Sequence, residues 1–144
     1  MKKLIVLSAA LGMLFVGTLD PAQAQSYKVI VNSSNAVSSM PRSQVAKLFL
    51  KKTTRWSDGS SVAPVDLPKS SPVRAAFSED VLGKSVLAVD SLWRKNIFSG
   101  RAVPPLEKGS DSDVIAYVSQ HPGAVGYVSS AASLGGVKEL TVAR

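Results

Sequence analysis

Apolar positions recur along this chain with two different periods. Tyr27-Lys28-Val29-Ile30-Val31 is β-rich and runs into the turn-prone Asn32-Ser33-Ser34-Asn35, which predicts a first strand. The period then lengthens. Val45, Leu48 and Phe49 recur at helical spacing behind Ser39 and Pro41, predicting a Pro41-containing helix start. That helix should stop near Lys51, where lysines complement the negative end of the dipole. Trp56-Ser57-Asp58-Gly59-Ser60 is a turn, and 62–66 is a short second strand. Ser71 then supplies an N-cap with Pro72 at the first helical position; Val73, Phe77 and Val81 share a face, and Gly83 ends the helix. Ser85 caps a third helix, whose expected buried stripe is Val86, Val89, Trp93 and Ile97. It stops at Ser99-Gly100, and Pro104-Pro105 bars continuation. Ser110-Asp111-Ser112-Asp113 resembles a capping box opening a helix with Val114, Ile115 and Val118 inward. Pro122-Gly123 breaks that helix, and Gly126-Tyr127-Val128 and 137–142 read as two closing strands.

The predicted order is β-α-β-α-α-α-β-β, an α/β domain whose early strands are linked by helical crossovers. Ahead of it, Lys2 and Lys3 precede an apolar stretch over 4–16 and then Ala22-Gln23-Ala24. This is the layout of a secretory signal peptide spanning residues 1–24, cleaved after Ala24, with a 120-residue domain over 25–144. The apolar run is short of the roughly 20 residues a membrane-spanning helix needs, so the processed protein is expected to be periplasmic or secreted and not membrane-spanning. Cysteine is absent, which excludes disulfides, thiolate-held metals and cysteine nucleophiles. The +7 net charge falls to about +6 without Lys2, Lys3 and Asp20. Such a charge favours anionic partners, including oxyanions and anionic lipid headgroups. The basic residues are scattered, densest at Lys47, Lys51, Lys52 and Arg55, and lack the aromatic interleaving of a nucleic-acid surface.

The reactive inventory is thin. His121 is the one histidine and stands at an expected helix C-terminus, where it completes the helix end. One histidine without cysteines cannot supply a common zinc site, so neither metal nor cofactor is expected. Asp111 and Asp113 read as first-turn dipole and cap residues. No nucleophile elbow, Ser-x-x-Lys pair or phosphate-binding P-loop occurs, so the reading is non-enzymatic. The better candidate is an anion site at Lys69, Ser70, Ser71 and Arg74, where a helix start offers free backbone N–H groups beside two cations. Ser99-Gly100-Arg101 combines a flexible backbone with a guanidinium, but a plain helix terminus explains it equally well. Trp56, Trp93 and Phe98 are expected to pack in the core or anchor loops.

Five segments, taken in order, resemble one lobe of the type II periplasmic solute-binding proteins, closest to the phosphate-binding proteins of phosphate ABC transporters. They are Val29-Ile30-Val31-Asn32, Leu48-Phe49-Leu50-Lys51, Arg55-Trp56-Ser57-Asp58-Gly59, the stretch from Trp93 through Phe98-Ser99-Gly100-Arg101, and Pro122-Gly123-Ala124-Val125-Gly126-Tyr127-Val128. The resemblance implies an α/β lobe with a mixed β-sheet flanked by helices, a phosphate-like oxyanion ligand and a setting beside an ABC-type transporter. It also implies two departures. Those proteins close two lobes over the ligand, and 120 residues hold one. Their anion loop carries an arginine and a Ser-Gly-Thr triplet; aligned on Phe77, these positions are Leu67 and Ser71-Pro72-Val73, so only Ser71 is kept. Two roles are therefore expected: weak oxyanion binding, or a protein contact in the cell envelope on a fold that has lost its ligand.

Overall fold

The computed structural model describes residues 26–144; the signal-peptide reading of 1–24 lies outside the described residues. The chain forms strands β1 (Tyr27–Asn32), β2 (Ser39–Pro41), β3 (Ala63–Asp66), β4 (Leu106–Glu107), β5 (Ala124–Ser129) and β6 (Val137–Ala143). Its helices are α1 (Arg42–Phe49), α2 (Pro72–Phe77), α3 (Val86–Phe98) and α4 (Asp111–Gln120). The strands make one mixed sheet in the order β2-β6-β1-β5-β3-β4. β1 is antiparallel to both neighbours, pairing Val29 with Tyr127 on β5 and Val29 with Leu140 on β6. β3 runs parallel to β5 and to β4, and β2 parallel to β6. This is the mixed α/β architecture expected from the alternation of periods.

Successive strand residues point to opposite faces, which lets β5 hold two layers at once. On one face the Tyr127 ring stacks on Phe77 of α2 at 3.9 Å, and Phe49 of α1 packs within 4.7 Å of Phe77. On the other face Gly126 admits α4: a Cβ there would come within 2.7 Å of Val114 Cγ1. Val114 and Val118 are fully buried, as their spacing predicts. The caps also fall as read. Ser71, Ser85 and Ser110 each accept an N–H three residues on, and Gly83 ends its segment in the left-handed region. Between Phe77 and Gly83 the helix loosens into a π-helical turn (Ser78–Leu82), which periodicity did not separate from α2.

Three expectations need correction. Pro41 lies outside α1 as its N-cap, because Ser39–Pro41 is held straight as β2 against β6. Strands β2 and β4, of three and two residues, are too short to show a period and are made by sheet pairing. In α3, Val89 and Trp93 are buried, but Ile97 and Phe98 are exposed. The last turn of that helix borders an open cleft, with no second layer to cover it. Phe98 is therefore neither a core residue nor a loop anchor.

Candidate functional site

The cleft lies between the end of β3, the start of α2, the inner side of α3 and β4. It encloses about 400 Å³ and is walled by Trp93, Ile97, Pro104 and Pro105. Its charged lining comprises Asp66, Lys69, Arg74, Asp90, Arg94 and Glu107.

The aromatic core sets its deepest group. Asp66 ends β3, and its Oδ1 accepts the Tyr127 hydroxyl at 2.5 Å, while the Leu67 N–H donates back to Tyr127 Oη at 3.3 Å. Burial pushes the Asp66 carboxyl above the usual carboxylate range, against the pull of Arg74 and the Tyr127 hydrogen bond. Burial, and then Asp66 itself, push the Tyr127 phenol up as well. Arg74, in the first turn of α2, is buried, and both of its terminal nitrogens face partners. Its Nη1 donates to Leu67 O at 2.8 Å and lies 3.3 Å from Glu107 Oε2, and its Nη2 lies 3.5 Å from Asp66 Oδ2. At the mouth, Asp90 takes an ion pair from Lys69 and a second from Arg94 Nη2 at 2.7 Å. The hydrogen bond from Lys69, followed by the Arg94 charge, holds the Asp90 carboxyl below its ordinary value.

Of the four anion-site residues read from the sequence, Lys69 and Arg74 line the cleft, and each already faces a carboxylate of this chain. Ser70 and Ser71 are not among the residues that line the cleft. The Ser71 hydroxyl accepts the Arg74 N–H at 3.3 Å as an N-cap, and its own N–H donates to Pro68 O. Pro72 offers no N–H. Ser70 is exposed in the turn before it. The sequence reading missed Asp66, Asp90, Arg94, Glu107 and Tyr127. One signal was available: Asp66 closes an otherwise apolar strand, where a carboxylate needs a buried cation. Asp90 and Arg94 are an ordinary i, i+4 pair on paper. Glu107 is brought in only by the pairing of β4 with β3.

The remaining candidates have local roles. His121 Nδ1 donates to Tyr117 O at 2.8 Å and its ring stacks on Tyr117, completing the end of α4. Asp111 accepts the Ser129 N–H and hydroxyl, tying α4 to β5. Trp56 is buried, and its Nε1–H donates to Gly123 O at 2.9 Å, anchoring the 57–60 turn.

Comparison with known proteins bears on the fold. No family model and no curated protein sequence matches the chain. Solved structures do. An ABC-type phosphate transport receptor from Vibrio cholerae superposes with a TM-score of 0.63 at 22% identity, over 80% of this chain and 45% of that one. PstS from Borrelia burgdorferi gives 0.59 at 15% identity, over 81% and 47%. A phosphate-bound Clostridium perfringens protein, assigned as the substrate-binding protein of a phosphate ABC transporter, gives 0.65 at 19% identity, over 81% and 44%. In fold, the described chain is a phosphate-binding-protein-like domain. It spans less than half the length of those proteins.

Proposed function

We propose that this chain is an exported, non-enzymatic relative of one lobe of the solute-binding proteins that works mainly through contact with another component of the cell envelope. One observation carries the reading: the three cations of the cleft, Lys69, Arg74 and Arg94, each pair with a carboxylate of the same cleft. An incoming phosphate must displace Asp90 or Glu107, or share a cation with one of them. Repulsion from those carboxylates offsets much of what it gains. The names of the structural neighbours place them in phosphate transport, which supports a setting beside an ABC transporter.

A second reading is weak oxyanion binding at Lys69, Ser70, Ser71 and Arg74. The exposure of Lys69 and Ser70 favours it. Calorimetric titration with phosphate, sulfate and acetate separates the two. The envelope-contact reading expects no saturation tighter than about 0.1 mM. Sub-micromolar phosphate binding by the monomer would overturn it. Intact mass of the protein exported by its host tests the setting: a chain that still carries residues 1–24 would remove the signal-peptide argument.

A further inference from the structure

The strongly exposed large apolar side chains among the described residues all fall in one stretch of twenty residues. They are Leu87 (78% exposed), Ile97 (52%), Phe98 (96%), Val103 (63%) and Leu106 (46%). Leu87, Arg94 and Phe98 are spaced by seven and four positions, so they share one face of α3, opposite the buried Val89 and Trp93. The helix end that carries Phe98 is tightly closed. Arg101 N–H donates to Asn96 O at 2.9 Å and Gly100 N–H to Ile97 O at 3.1 Å, with Gly100 at φ 69°. Phe98 therefore stands out from an ordered end, not a fraying one.

The polar residues around this ridge have one dominant sign. Lys84, Arg94, Lys95 and Arg101 lie between positions 84 and 101, against Asp90, which already pairs with Arg94 and Lys69. Lys95 and Arg101 are exposed and form no ion pair among the described residues. A second copy of the chain docked across a two-fold axis would set these cations against their own kind, which disfavours a homodimer here. The ridge presents an aromatic side chain, Phe98, close in the chain to the exposed cations Lys95 and Arg101.

We infer that the outer face of α3, together with the 99–105 loop that follows it, docks on an anionic phospholipid surface. Phe98, Leu87 and Val103 enter the interfacial layer, and Lys95 and Arg101 meet the phosphodiester headgroups. The inference adopts the envelope-contact reading and names the partner.

The test is sedimentation with vesicles, using protein isolated from its host with its N-terminus fixed by intact mass. Phosphatidylcholine vesicles are compared with vesicles containing about one quarter phosphatidylglycerol. Binding is expected only with phosphatidylglycerol and should fall as salt rises. Phe98→Ser should weaken it about ten-fold or more, and Lys95→Gln about five-fold. Because every variant keeps the same N-terminus, these differences report the ridge alone. Absence of binding to anionic vesicles would overturn the inference, as would equal binding by Phe98→Ser. So would a wild-type dimer that Phe98→Ser dissolves, or an acidic protein partner that buries Phe98 while vesicles do not bind. The phosphate titration distinguishes the failures: tight phosphate binding removes the envelope-contact reading itself, and missing vesicle binding with weak phosphate removes only the lipid surface.

Discussion

The centre of the sheet and the α3 side are stabilised in different ways. Around Tyr127, apolar packing is continuous: Phe49, Phe77 and Tyr27 close one face, and Val114 and Val118 close the other. Around α3, Val89 and Trp93 are buried outside that continuous core, and the cleft beneath them is filled with paired ions. The first arrangement gains from every apolar area removed from water; the second balances costly desolvation against attraction. The difference bears on function. A helix with covered apolar residues inside and exposed ones outside has a face that the described residues leave uncovered.

Phe77→Ala should show the largest effect, a loss of about 3 to 5 kcal/mol in urea melts, since its ring touches three other aromatics. Trp93→Ala should cost about 3 kcal/mol, at the low end for a buried aromatic, because its surroundings are partly a cleft. Hydrogen exchange would sharpen the contrast. The α3 amides should open at lower free energy than those of β1 and β5, whereas equal protection would merge the two regions into one cooperative unit. Gly126→Ala should cost about 1 to 3 kcal/mol, since the added methyl meets Val114. Phe98→Ser should change stability by no more than about 0.5 kcal/mol; a larger loss would mean that this chain covers the ring.

Two of the three cleft carboxylates, Asp90 and Asp66, should give opposite pH slopes. Asp90 has a lowered folded pKa, so its contribution is present above the unfolded value near 4 and is lost as pH falls through the folded value. Asp66 has a raised folded pKa. The native state binds its proton first, so between about 4 and that folded value stability increases as pH falls. Urea melts from pH 3 to 7 should show Asp90→Asn flattening the loss at the acid end. Asp66→Asn should remove the opposite slope above it. Coincident profiles would break the distinction between a mouth pair and a buried pair.

Much of the fold was legible because most elements carry local signals. Ser71-Pro72, Ser85 and Ser110 announce helix starts, and the apolar run of β1 announces a strand buried on both faces. What the sequence hid depends on partners far along the chain. β2 exists because β6 pairs with it, and Glu107 reaches Arg74 because β4 lies beside β3. Lys69 and Arg74 line one cleft, but the carboxylates facing them come from β3, α3 and β4, which no short window contains. Ile97 and Phe98 mark the converse limit. Helical spacing says that apolar residues share a side, and only the third dimension says whether anything covers them.

The cleft carries its own counter-ions. The most direct measurement is phosphate titration of the Asp90→Asn, Glu107→Gln double variant beside the wild type. Both substitutions lie at the mouth and leave the Tyr127–Asp66 hydrogen bond intact. The account predicts that freeing Lys69, Arg94 and one arm of Arg74 tightens phosphate binding by about ten-fold or more, with a steeper salt dependence. An affinity unchanged by the double substitution would contradict it and show that the cleft's ion pairs are not what limits anion binding.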